Sequence, residues 1–298
     1  MRTENHAFVE VELAAIALFD LAGLEAVSGT LMHKGREKTS YLLESEAGFF
    51  VVSGYELNRE KHIQSRVEAI MSAMAWASRR NISPQPLTID GRFTHLSERH
   101  IWAGYAFVDG SLLMQSRSPV EIYGRLGEVA ATLHSSWSPD ELRSPPELGD
   151  RLRNTVVPEG VREGIQRALS GRSSKRLLHG DLNASNVVLA GFPMVIDFDD
   201  CGIGIPELEL AISLGYVNTS PADIRNCFQS MVSRYIAQSP DLDLKILGKL
   251  CGYIPWYLAA SQYADVTPEK VETLDLEPVC WQASAIQSAL SEFGPWYE

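Results

Sequence analysis

The sequence predicts an α+β protein. Three observations carry that reading. Short apolar, strand-like segments crowd the first third of the chain. Helical periodicity takes over after Asp109. A single strand pair, at 187–196, interrupts the helices. Strands and helices segregated in this way belong to α+β rather than alternating α/β architectures. With 298 residues, 45% hydrophobic and 21% charged, the chain is long and apolar enough to bury one large core or two modest ones.

The elements follow in order. Val9, Leu13, Ile16 and Leu21 fall near helical spacing, which predicts a helix over 8–22. Three segments then read as an antiparallel meander: "AVSGTLM" (26–32), "SYLLES" (40–45) and "GFFVVSG" (48–54). The link "HKGREK" (33–38) reads as a basic loop centred on Gly35. Over 59–79 the period changes, and Ile63, Val67, Ile70, Met71 and Met74 share one helix face. The prolines of "NISPQP" end that helix. Strands are expected around Phe93–Leu96 and Ile101–Val108, with "SERH" as the turn. Beyond "DGS" (109–111), Tyr123, Leu126, Ala130 and Leu133 line a helix, and another spans about 159–170. Two short strands, Val187–Leu189 and Met194–Ile196, join through Gly191, and helices run on from Glu207 with breaks at "SPAD", "QSPDLD" and "VTPEK". The change of composition at Asp109–Ser111 marks a boundary between two units, 1–109 and 110–298.

Charge and cysteines narrow the function. A net charge of −12 argues against non-specific nucleic-acid binding and against an anionic membrane surface. The N-terminus lacks the pattern of a signal peptide, and no apolar run approaches the roughly 20 residues needed to span a bilayer. Cys201, Cys227, Cys251 and Cys280 form no C-x-x-C pair and read as reduced thiols of a cytoplasmic enzyme.

The chemistry is concentrated in "LLHGDLNASNVVLAGFPMVIDFDD" (177–200). Asp181, Asn183, Asn186, Asp197, Asp199 and Asp200 stand there among apolar, strand-forming residues. Carboxylates so placed repel one another unless a cation neutralises them. Asn186 precedes the first strand of the pair and Asp197 closes the second, and paired strands lie about 5 Å apart. An amide oxygen and a carboxylate converge in this way as hard ligands of the kind Mg²⁺ takes, with water and phosphate completing its shell. Asp181, five residues before Asn186, is left to accept a proton from a hydroxyl. That division of labour is what phosphoryl transfer requires. The order loop Asp, then Asn, then strand-end Asp is the order of the kinase motifs.

"HGDLNASNVVL…VIDFDDCGIGIPELELA" resembles the aminoglycoside phosphotransferase and choline-kinase superfamily, small-molecule relatives of the protein kinases, with a tail similar to hydroxylysine-kinase-like members. "YAFVDG" (105–110) is similar to the family's hinge, and "LGEVAATLH" (126–134) to the helix that follows it. The resemblance implies a bilobal protein-kinase-like fold, with a nucleotide-binding lobe of antiparallel sheet and one main helix, a hinge, and a larger helical catalytic lobe. It implies Mg²⁺ and ATP or GTP as cofactors, and a small-molecule hydroxyl as acceptor. Carried onto this chain, Asp181 is the catalytic base, and Asn186 and Asp197 ligate Mg²⁺, with Asp199 supporting the metal or substrate side. The backbone of Ala106, Phe107 and Val108 holds adenine, and His179 braces the loop.

One position departs from the family. Aligned with "GFFVVSGY", the phosphate-binding lysine of the third strand is replaced by Ser53. Its expected partner, Glu68 on the next helix, is then left without a cation. Two readings follow. Either the charge has moved to Lys34, Arg36 or Lys38 around Gly35, where backbone amides can also approach phosphate, or the protein is a weakened or inactive kinase-fold binder of nucleotide or ligand. Acidic residues and aromatics in the C-terminal third, among them Glu207, Glu209, Asp223, Asp241, Asp243, Trp256 and Tyr257, suit an aminated acceptor.

Overall fold

The computed structural model describes residues 23–24, 26–34, 38–58, 62–116, 118–135, 148, 159–170, 174–217, 220–262, 284–286 and 288. They divide into two compact units, one up to Gly110 and the other from Ser111 onward. The helix expected over 8–22, and the residues Gly35 and Arg36, lie outside the described residues.

Among the described residues the first unit is an antiparallel sheet with one long helix. Its strands are β1 (Ala26–Lys34), β2 (Lys38–Ser45), β3 (Gly48–Glu56), β4 (His95–Leu96) and β5 (His100–Ala106), in the spatial order β1-β2-β3-β5-β4. Successive side chains point to opposite faces; β3 and β5 are buried on both over most of their length, and one face carries an apolar cluster. Tyr41, Leu43, Phe50, Val52 and Trp102 bury together on that face, with Leu87, Ile89 and Ala106 packed beside them. Helix α1 (Ile63–Ser78) buries Val67, Ile70, Met71 and Met74, the stripe that its spacing marked. Two expectations shift at the edges. Lys34 and Lys38 are strand residues at the ends of β1 and β2 rather than members of a loop. Phe93 stands outside β4, which is only two residues long.

The second unit is mostly helical. Helix α2 (Pro119–Ser135) buries Tyr123, Leu126, Ala130 and Leu133. It is followed by α3 (Glu159–Ser170), α4 (Pro206–Gly215), α5 (Pro221–Ile236) and α6 (Leu244–Gln262). Ser220 caps α5 by accepting from the N–H of Asp223, and Pro221 begins the helix, which is why "SPAD" reads as a boundary. The strand pair is there, as β8 (Val187–Ala190) and β9 (Phe192–Val195), turning at Gly191 with a φ of 81°. Three strands of two or three residues were not legible: β6 (Ser111–Leu112), which joins β8 as a third strand, and β7 (Arg176–Leu178) paired with β10 (Gly202–Gly204). Segments so short carry too few residues for periodicity to register. Among the described residues no helix is long and apolar enough to cross a membrane.

Candidate active site

The hairpin brings its two ends together. Val187 pairs with Val195, and one step further the N–H of Ile196 donates to the carbonyl of Asn186 at 2.9 Å. Asp197 therefore follows directly on the residue bonded to Asn186. The chain turns sharply there: Asp197 has a φ of 63° and a ψ of 61°, left-handed values that a non-glycine residue adopts at a cost. A 3₁₀ turn, Phe198–Asp200, continues from it and buries Phe198 against the ring of His179, with ring centroids 4.8 Å apart. Asp199 lies in that turn, half-buried, two residues beyond Asp197.

Asp181 is held on both sides. The side-chain amide of Asn186 donates to the Asp181 carbonyl at 2.9 Å and to its Oδ2 at 3.0 Å. Because the nitrogen of that amide is committed to Asp181, its oxygen is the atom available to a cation. The hydroxyl of Tyr216 donates to Oδ1 of Asp181. Each carboxylate oxygen of Asp181 thus has one donor, and each keeps a further acceptor position. Burial and the charges of Asp181 and Asp200 push the Tyr216 phenol well above its ordinary value of 10.0.

Helix α4 grips the loop that carries Asp181. Glu209, Ser213 and Tyr216 are spaced i, i+4, i+7, the spacing of one helix face. The fully buried Glu209 accepts from the N–H of His179 and from the N–H of Gly180 at 3.2 Å. Ser213 donates to the carbonyl of Leu182 at 2.6 Å. The Nε2 of His134 lies 3.8 Å from Glu209, while its Nδ1 meets the Tyr235 hydroxyl at 3.0 Å. His179, fully buried, donates from Nε2 to the carbonyl of Ile196 at 2.9 Å, tying the loop to the end of β9. Gly180 has a φ of 82°, and a Cβ there would stand 2.0 Å from the carbonyl oxygen of Asp200, so no side chain fits between loop and turn. Ser213, Tyr216 and His134 escaped the reading of the sequence, and Glu209, expected to attract an aminated acceptor, braces the loop. The signal was present as Glu209 and Ser213 at helical spacing within α4, with Tyr216 next on the same face.

Among the described residues no group of three or more His, Cys, Asp or Glu is arranged to hold a metal ion. Asn186 and Asp197 together offer an amide oxygen and a carboxylate at one end of the hairpin. That partial set suits a cation whose remaining ligands are water and phosphate oxygens.

In the first unit, Ser53 lies opposite Ser40 on β2, and their hydroxyls meet at 2.8 Å in a buried pair. Two steps along β2, Lys38 pairs with Tyr55, and the two-residue period puts Lys38 on the face of Ser40 and Ser53. Lys34 pairs with Thr39, which assigns it to the opposite face. Glu68 accepts a hydrogen bond from the buried hydroxyl of Thr94. The carboxylate that lacks the strand lysine is thus satisfied by a neutral donor. At the hinge-like segment, the N–H of Ala106 donates to Gln85 at 2.9 Å and that of Phe107 to Phe49 at 2.8 Å. Of the three backbone donors expected to face adenine, two are spent on the sheet, and only Val108 has no backbone partner for its N–H among the described residues.

The acids expected to attract an amine are largely committed to structure. Glu207 accepts from the N–H of Asp243 at 2.7 Å, and Asp243 in turn accepts from the N–H groups at the start of α6. Asp241 lies 3.5 Å from Arg176, and Asp223 accepts from Ser220.

This arrangement is that of a phosphotransferase. Residues 28–229 match the model of the phosphotransferase enzyme family, and the chain belongs to that family. No curated protein matches it by sequence. Among solved structures it is similar to an amicoumacin kinase in complex with AMP-PNP, Ca²⁺ and Ami, at 15% identity and a TM-score of 0.69, covering 100% of this chain and 98% of that one. It is similar also to a microcompartment-associated aminopropanol kinase, at 16% identity and a TM-score of 0.64, covering 94% and 97%. A choline kinase from Cryptosporidium parvum Iowa II gives 13% identity and a TM-score of 0.58 over 90% of each chain. The kinase-like α+β fold expected from the sequence is therefore the observed one.

Proposed function

We propose that the protein transfers the γ-phosphoryl group of ATP or GTP to the hydroxyl of a small, amine-bearing alcohol, the unit from Ser111 holding the catalytic residues and the unit before it the nucleotide. The observation that carries this is the Asn186–Asp181 contact at the mouth of the hairpin, which leaves one group to take a proton and another to face a cation. In this reading Asp181 orients the acceptor hydroxyl and accepts its proton as the new O–P bond forms. Asn186 and Asp197, with Asp199 nearby, hold Mg²⁺, which neutralises charge on the phosphates. Val108 donates its N–H to the nucleotide base. Lys38, on the Ser53 face of the sheet, supplies the cation missing from β3. Support for an amine-bearing acceptor comes from what the aminopropanol and choline kinases act on.

Three measurements test this. Nucleotide should raise the melting temperature only when Mg²⁺ is present, since a ligand that binds the folded state alone stabilises by mass action. Asp181→Ala should abolish transfer while sparing nucleotide binding, and full activity in that variant would remove Asp181 from its role. Lys38→Ala should weaken ATP binding by about tenfold, roughly 1.4 kcal/mol, and Lys34→Ala should not.

A second reading, a nucleotide binder without turnover, is favoured by Ser53 and its buried partner Ser40. It requires that no hydroxyl acceptor, including amino alcohols and aminoglycosides, be phosphorylated while Mg²⁺–nucleotide still binds.

A further inference from the structure

The hydrogen bond from Tyr216 to Asp181 has a role in the reaction. We infer that Tyr216 is a gate on the base, its hydroxyl holding an acceptor position on Oδ1 and so limiting the access of water to it. The inference rests on the reading of Asp181 as the base.

The geometry runs as follows. Oδ2 of Asp181 is fixed by the Asn186 amide, which also holds the backbone carbonyl of the same residue. The amide and the Tyr216 hydroxyl each take one acceptor position of the carboxylate, so an incoming hydroxyl that approaches Oδ1 meets the phenol there. Tyr216 is the residue directly after α4, whose Glu209 and Ser213 hold the loop rigidly from below. The tyrosine itself is 40% exposed, so its ring is at the surface and able to leave, while the two residues beneath it are fully buried.

The consequence concerns water. A nucleoside triphosphate beside an unprotected base is exposed to hydrolysis. A water oxygen bonds to the γ-phosphorus, the bond from that phosphorus to the bridging oxygen of the diphosphate breaks, and the water proton passes to Asp181. To do this, water must compete with the phenol for Oδ1, and it brings no other contact to compensate. A true acceptor brings the binding energy of its whole body to the same exchange. Tyr216 thus sets a threshold that a substrate crosses and a solvent molecule does not.

The test needs no knowledge of the acceptor. Phosphate release from ATP and Mg²⁺ is followed with the full chain and no added alcohol, in the native protein, Tyr216→Phe, Asp181→Asn and the double variant. Phenylalanine keeps the ring and removes only the oxygen, leaving room for about one water beside Oδ1. Hydrolysis should rise about tenfold in Tyr216→Phe, as expected when a hydrogen bond to a charged group is lost. In the double variant it should return to the Asp181→Asn level, with nucleotide affinity by calorimetry unchanged throughout. Hydrolysis in Tyr216→Phe equal to or below the native rate overturns the gate, and so does a rise that survives in the double variant. The two readings fail separately. If Asp181→Asn still hydrolyses ATP at the native rate, the base assignment falls with everything built on it. If Asp181 proves essential and Tyr216→Phe is silent, only the gate falls.

Discussion

The amide of Asn186 reaches Asp181 twice, at the backbone carbonyl and at the carboxylate, over 2.9 and 3.0 Å. In the proposed mechanism one side chain thereby aims the base and, through its remaining oxygen, faces the cation. Replacing it should disturb both. Asn186→Ala is expected to lower kcat and to move the Mg²⁺ half-saturation upward, each by ~10–100-fold, the usual effect of losing a group that orients a metal site. Initial rates across a Mg²⁺ titration check this. A lower kcat at unchanged metal demand would leave Asn186 as an aligner of Asp181 only.

Glu209 is the anchor of the same loop. Its carboxylate satisfies two backbone N–H groups in a fully buried setting. Glu209→Ala leaves both without an acceptor, at a cost of about 1–3 kcal/mol each. Urea unfolding should show a loss of about 2–6 kcal/mol, the sum for two such groups. A loss well under 1 kcal/mol would mean that the loop finds other acceptors.

In the proposed mechanism Asp197 joins a ligand's role to a strained backbone. Its left-handed backbone is a conformation that glycine adopts freely. Asp197→Gly can therefore keep the same turn while removing the carboxylate. Stabilisation by Mg²⁺–nucleotide should vanish in the same variant. If the variant unfolds earlier and still responds to Mg²⁺–nucleotide, Asp197 is structural and not a ligand.

The tyrosines and cysteines fix the behaviour at high pH. Burial raises the phenol of Tyr216 with help from Asp181, raises that of Tyr235 to about 12 and raises the thiol of Cys227 from 9.0 to about 11. In each case the folded chain holds its proton more tightly than the unfolded one. The stability this contributes is complete below the unfolded values and is lost as pH climbs past them. Denaturant midpoints should hold up to about pH 9 and fall steadily above it, given ordinary thiol and phenol values near 8.5 and 10. Tyr216→Phe should flatten part of that fall, and an unchanged slope would place the sensitivity in the buried thiols and the remaining phenols.

Much of the site could be read from order alone. The residues at 181, 186 and 197 and the apolar runs between them specify a hairpin with polar ends, because strand alternation and the turn at Gly191 are local properties. The segregation of strands and helices was legible for the same reason. Tertiary structure alone decided who touches Asp181. Glu209, Ser213 and Tyr216 lie 28 to 35 residues downstream and meet the loop only because α4 packs beneath it. It also assigned Lys34 and Lys38 to opposite faces through strand register, and turned Glu68 toward Thr94. Periodicity describes a segment by itself. Which polar atoms are left facing one another depends on how segments dock, and burial then forces each of them to find a partner.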